Sequence, residues 1–319
     1  MPPTPTPSAR CRYASKPRPI ARFMTCVAVA CLLATALSAQ QPQLSISPVK
    51  PAPGSIVRLL LDRGVAGDSI LALSGEMAGE PLHFRRAAVG VWHAIAGIPV
   101  DAVGEVAATA VIERASGAAD TVRAAVTLPR PEPAKGRPRA LAVSPRFTRP
   151  LDSATQLRID RENERARAIG RNAHDSPQMW SGAFHTPRVS AVTSRFGSGR
   201  MFNGTLSSKH LGVDFRGTIG QSVRAANSGV VALVDDFFLA GKVVYVDHGG
   251  GVVTGYFHLS DAVVAEGEAV SRGQLIGRVG ASGRVTGPHL HWTARYGAIT
   301  VNPLDLVALP GGGEHLVRR

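Results

Sequence analysis

The chain has 319 residues, 44% hydrophobic and 18% charged. That is enough apolar material for one large or two modest cores, and the balance excludes a disordered polyelectrolyte. The formal charge is +13, but no basic stretch interleaves with aromatics and no nucleic-acid motif appears, so no nucleic-acid partner is expected.

Residues 1–39 read as a signal peptide. Arg10, Arg12, Lys16, Arg18 and Arg22 form a basic region with no acidic residue, Phe23 to Ala36 is apolar and uncharged, and small residues Ala36, Ser38 and Ala39 follow. Cleavage is expected after Ala39. A retained anchor is the alternative, although the apolar run is short of the roughly 20 residues a spanning helix needs. The expected location is the periplasm or the extracellular face of the envelope, with no stable membrane span after cleavage. Cys11, Cys26 and Cys31 all lie in this segment. The mature chain therefore has no disulfide, no cysteine nucleophile and no thiolate ligand. Losing the five basic residues leaves a charge of +8, which can attract anionic envelope polymers.

Residues 40–128 read as an immunoglobulin-like β domain. Ile56 to Leu61, Ser69 to Leu73, Val91 to Ile95, Val106 to Ile112 and Thr121 to Leu128 are short apolar runs bounded by turn residues. His83 and His93 stand alone there and read as structural. Residues 129–182 read as a Pro/Arg-rich linker followed by a helix. Ser153 and Gln156 fit a capping box, and Gly170 marks the expected stop. Leu157, Ala166 and Ile169 make only a thin apolar stripe, so the helix needs a surface to lie on, and an open groove is one candidate.

From 183 to 308 the chain is strand and turn, with a short tail at 309–319. Val223 to Ala226, Gly229 to Val234, Val243 to Val246, Val252 to His258 and Leu275 to Gly277 are strand-like, and Gly249-Gly250-Gly251 marks a turn. Within this stretch His210-Leu211-Gly212-Val213-Asp214 places an imidazole and a carboxylate four apart. On an extended strand both face one side, and Gly212 leaves room for a metal between them. His289-Leu290-His291 does the same with two imidazoles. Two histidines and a carboxylate with an open fourth position is a standard ligand set for catalytic zinc. No H-E-x-x-H is present, so no motif glutamate is available as general base, and histidine, with an unperturbed pKa of about 6.5, can take that role. His248, in a strand-end turn, reads as structural, and His174, His185 and His315 receive no role.

The blocks Ser194-Arg195-Phe196-Gly197, His210 to Asp214, Asp247-His248-Gly249, Tyr256 to Ser260 and Thr286 to Trp292 resemble, in order and spacing, the M23 (lysostaphin/LytM-type) zinc metallopeptidases. The resemblance covers about residues 187–307. It implies an antiparallel β domain with an open groove. It also implies a zinc ion on His210, Asp214 and His291, with His258 and His289 as catalytic histidines beside the metal. Which of the two activates water and which serves the leaving amine stays open. Many members place an oxyanion-helping tyrosine in this region. None lies between 187 and 214, which leaves Arg195 and Asn203 as candidates. The implied activity is endopeptidase hydrolysis of stem or cross-bridge peptides in peptidoglycan. The alternative is a non-catalytic LytM-type module that activates a cell-wall amidase.

Overall fold

Residues 41–62, 69–130, 139–204 and 206–309 are described by the computed structural model. The expected signal peptide, residues 131–138 of the expected linker and residues 310–319 of the tail lie outside these. Among the described residues no helix is long and apolar enough to cross a membrane.

The first eight strands are β1 (Gln43–Ser47), β2 (Ile56–Asp62), β3 (Ile70–Met77), β4 (Glu80–Pro81), β5 (Arg85–Ala88), β6 (Val91–Gly97), β7 (Glu105–Arg114) and β8 (Ala119–Thr127). They form two antiparallel sheets, ordered β1-β2-β6-β5 and β4-β3-β7-β8. All five expected runs are strands, and β1, β4 and β5 are additional. β5 was illegible because it is wholly exposed and β4 because it has two residues, whereas β1 puts only Leu44 and Ile46 toward the core. Period-two patterning shows best in β7, where Ala108, Ala110 and Ile112 are fully buried. The chain passes between the sheets three times, as Greek-key connections do.

Within the stretch read as linker, residues 139–141 form strand β9 (Arg139–Leu141), and a 3-10 turn follows at Pro145–Phe147. Helix α1 (Ser153–Asn172) comes next. Its cap differs from the expected box. The Asp152 side chain accepts from Thr155 N at 2.7 Å, which places the cap one residue earlier. The helix also runs past Gly170 to Asn172, because Gly170 is packed against the Gly297 carbonyl and does not end the helix. Leu157 is exposed, whereas Ile159 and Ala166 are buried.

The remaining strands are β10 (Val192–Ser194), β11 (Gly199–Phe202), β12 (Leu206–Lys209), β13 (Val213–Arg216), β14 (Ser222–Arg224), β15 (Gly229–Phe237), β16 (Gly241–Gly249), β17 (Val252–Ala262), β18 (Ala269–Val270), β19 (Leu275–Val279), β20 (His289–Tyr296) and β21 (Ile299–Val301), followed by a short helix α2 (Pro303–Val307). The main antiparallel sheet runs β10-β13-β20-β17-β16-β15-β18, with β14 and β19 attached through β17 and β21 on β20. The expected turn at Gly249-Gly250-Gly251 joins β16 to β17, with all three glycines at positive φ. Strands β11 and β12 form a hairpin, and β9 adds to β11 in parallel.

Helix α1 lies on the main sheet, not along the groove. Ala166, Ala173 and Ile169 pack with Leu233, Phe237, Val243, Tyr245 and Val253. Polar contacts fix its pose: Arg158 donates to Asp236 O at 2.7 Å, Arg165 pairs with Asp235, and Glu162 accepts from Phe238 N. One apolar cluster runs from Leu59, Ala94 and Ala108 of the sandwich through Val213, Tyr256 and Trp292 of the main sheet. The contact is tight at Gly97, where a Cβ would meet Val301 Cγ1 at 2.9 Å.

Candidate metal centre and groove

The antiparallel register of β13 on β20 sets Asp214 opposite His291 and Arg216 opposite His289. Period two then carries both histidines of β20 to one face. His210 arrives differently from the extended-strand reading. Residues 210–212 lie between β12 and β13, where the chain turns. His210 is therefore aimed by its own hydrogen bonds, not by strand alternation. Gly212 also has another role than leaving room for an ion. A Cβ there would meet His291 Cε1 at 2.6 Å, so glycine lets that ring approach the backbone.

Three ligand atoms converge. His210 Nε2 is 3.0 Å from Asp214 Oδ1 and 2.9 Å from His291 Nδ1, and His291 Nδ1 is 2.7 Å from Asp214 Oδ1. All three residues are buried. Carbonyl oxygens can only accept, so the 2.9 Å contact of His210 Nδ1 with Arg195 O puts the proton on Nδ1 and leaves the lone pair of Nε2 facing the cluster. Two imidazole nitrogens and a carboxylate oxygen crowded in this way fit a zinc ion, which takes such ligands at about 2.0–2.2 Å. Asp214 is held well below the usual carboxylate range. Burial opposes that shift, and hydrogen bonds and charge from His210 and His291 overcome it. Burial chiefly pushes His291 down to about 4, against the raising effect of Asp214.

The outer oxygen, Asp214 Oδ2, accepts from Arg200 on β11. Nothing in the local sequence pattern marked this arginine. It leaves Oδ1 as the oxygen that faces the histidines.

His258 and His289 lie beside the cluster. Their ring centroids are 4.9 Å apart, and His258 is 5.8 Å from His291. His289 Nε2 is 3.7 Å from Asp214 Oδ1. His258 Nδ1 donates to Ser282 O and His289 Nδ1 to Gly287 O, both at 2.8 Å, so Nε2 is the nitrogen each ring leaves for the site. Burial, reinforced by His289 and His291, pushes His258 well below its ordinary pKa. His258 also has φ +61, rare outside glycine, at the point where β17 leaves β20 and pairs with β19.

A groove of about 210 Å³ opens beside these residues, lined by Thr193, Arg200, Asp214, Arg216, Arg284 and His289 together with Leu141 and Val143. A larger hollow of about 620 Å³ lies among residues 184–189 and Arg224, and no ligand residue lines it. Asn203 is committed elsewhere: its Oδ1 accepts from Val143 N and its Nδ2 donates to Val143 O and Thr148 Oγ1. His248 is fully buried, as its structural reading requires, with Nδ1 donating to Ser228 O and Nε2 2.8 Å from Thr254 Oγ1.

An antiparallel β-sheet carrying a His-Asp-His centre beside an open groove defines the class. Residues 208–303 match the model of peptidase family M23. The chain is similar to the peptidoglycan DD-endopeptidase ShyA of Vibrio cholerae, 40% identical over 126 residues, or 40% of this chain and 27% of the relative. It is similar to the DD-carboxypeptidase/endopeptidase Mpg of Neisseria meningitidis, 45% identical over 101 residues, or 32% of this chain and 23% of that protein. The chain thus spans about a quarter of the length of these curated relatives. A crystal structure from Pseudomonas aeruginosa described as a peptidase M23 aligns over 81% of this chain and 95% of its own, with TM-score 0.61 and 28% identity. The chain therefore carries a peptidase M23 domain at residues 208–303.

Proposed function

We propose that this protein is a zinc-dependent endopeptidase that hydrolyses peptide bonds in peptidoglycan stem or cross-bridge peptides, in the periplasm or at the cell envelope. The observation that carries the reading is the convergence of His210 Nε2, Asp214 Oδ1 and His291 Nδ1 within 3.0 Å of one another, with two further histidines presenting Nε2 beside them. The names of the similar endopeptidases supply the substrate class. We assign the chemistry to residues 183–308 and a supporting role to the sandwich at 40–128, whose strand order suits an immunoglobulin-like module.

His210, Asp214 and His291 would hold the zinc ion. Zinc supplies a Lewis acid for the scissile carbonyl and lowers the pKa of water toward 7. Arg200 holds the second oxygen of Asp214 and so orients the first toward the site. His258, neutral because it is buried, can accept a proton at Nε2 while Ser282 O fixes its ring. His289, less buried and at the groove, can pass a proton at Nε2 to the departing amine. Digestion of purified sacculi by the zinc-loaded chain, with masses of the released peptides, tests the reading. New amine and carboxyl ends at stem or cross-bridge bonds are expected. Intact sacculi with zinc bound would favour the non-catalytic module.

A further inference from the structure

The groove carries an excess of positive charge that metal binding does not use. Arg200, Arg216 and Arg284 line it, and Asp214 is the sole acidic residue among its described lining residues. Asp214 is already committed to Arg200 and the two ligand histidines. Arg284 leans its guanidinium over the Phe202 ring at 4.1 Å from the centroid, and it has no carboxylate partner among the described residues. Its charge is partly desolvated and close to that of Arg200, which pushes its pKa down. A guanidinium held over a ring in this way is restrained, and its planar fork matches a carboxylate. Arg216 stands on the rim, exposed, directly opposite His289 in the β13–β20 register.

We propose that Arg284, assisted by Arg216, binds a free carboxylate of the substrate on the residue that supplies the nitrogen of the scissile amide. The inference rests on the endopeptidase reading above. The residue on the acyl side has its own α-carboxyl in the bond to be cut. The residue on the nitrogen side keeps a free one when it ends the chain or is joined through a side-chain amine. Arg284 would thus make the enzyme selective for cross-links of that kind.

The test uses the full mature chain and a matched peptide pair that differs only in a free carboxylate or a carboxamide on the nitrogen-side residue. Binding is measured with the metal chelated, so that turnover does not intervene, and cleavage is measured with zinc restored. The parent should bind and cut the acid at least about tenfold better than the amide, the scale of a charged hydrogen-bonded pair. Arg284→Met should bring that ratio close to one, and Arg284→Lys should recover only part of it. Arg216→Gln, at an exposed position, should lower the ratio with the fold unperturbed, which guards against misfolding at Arg284. Equal binding of acid and amide by the parent overturns the carboxylate site, even if both peptides are cut. A binding preference that depends on Arg284, with neither peptide cut, keeps the site and overturns the endopeptidase reading instead.

Discussion

Asp214 divides its two oxygens between unlike neighbours, Oδ1 toward His210 and His291 and Oδ2 toward Arg200. That division makes it the most sensitive position in the site. Asp214→Ala should lose most of the bound zinc and the activity together, read by metal analysis after dialysis. Zinc retention equal to the parent would sink the ligand assignment. His258→Ala and His289→Ala should keep zinc and lose about 100-fold or more in turnover, the usual size for a general acid–base group. A His289→Ala protein without metal, beside a His291→Ala protein that keeps it, would exchange the roles of the pair. His248 provides a pH test away from the metal. Burial pushes it from 6.5 down to about 4, so between those values the unfolded chain binds the extra proton. The neutral form's contribution is present above about pH 6.5 and is lost as pH falls toward 4. Its full size is about 3 kcal/mol by the usual conversion of pKa shift to free energy. His248→Asn should flatten the slope of urea stability against pH across that window, and an unchanged slope would show that His248 is solvated in the folded state.

At the scale of elements, the segment from Arg139 to Thr148 wraps onto the β11–β12 hairpin and walls the groove with Leu141 and Val143. Its anchors are Phe147 packed with Phe202, and the Asn203 side chain clamped to Val143 and Thr148. Asn203 sits at φ +48, so glycine removes the clamp without backbone strain. Asn203→Gly should speed amide exchange across 141–148, measured by hydrogen–deuterium exchange, and leave zinc content at the parent level. Unchanged protection would mean that β9 pairing alone holds the wall. The strand and the clamp were not legible beforehand, because a proline- and arginine-rich stretch carries no period to reveal a parallel partner 60 residues away. Helix α1 was legible as a helix, since its start signal is local, although the cap is Asp152 and not the expected Ser153. Its docking surface was not, because Arg158, Glu162 and Arg165 meet residues 235–238 of a distant strand.

At the scale of the whole molecule, the sandwich and the main sheet share contacts that a flexible two-domain arrangement would lack. Glu80 accepts from Ala298 N, Tyr296 Oη donates to Pro81 O, and Asp305 accepts from Ile56 N. His174, at the end of α1, has Nε2 2.8 Å from Glu80 Oε2 and Nδ1 2.8 Å from His83 Nε2. The two histidines read as isolated or without a role thus meet at this junction. A fragment starting near Ser181 retains every proposed metal and catalytic residue but bares Tyr245, Phe237 and Leu233 beneath the missing α1. It should melt well below the full mature chain and tend to aggregate, as an uncovered apolar face does. A fragment with the parent's melting temperature would show that the N-terminal half contributes nothing to stability.

What the sequence by itself determined was the two spacings that meet at the candidate centre, His210 to Asp214 and His289 to His291, the strand-rich architecture and the Gly249-Gly250-Gly251 hairpin. Each is written in residues a few positions apart, where spacing and backbone geometry act directly. Only the tertiary structure decided which carbonyl each of His210, His258 and His289 meets, that Arg200 holds the second oxygen of Asp214, that Arg284 faces the groove, and that one core joins both halves. These depend on hydrogen bonds and packing between residues brought together by strand register across the sheet. The register follows from the path of the whole chain, and no local period encodes it.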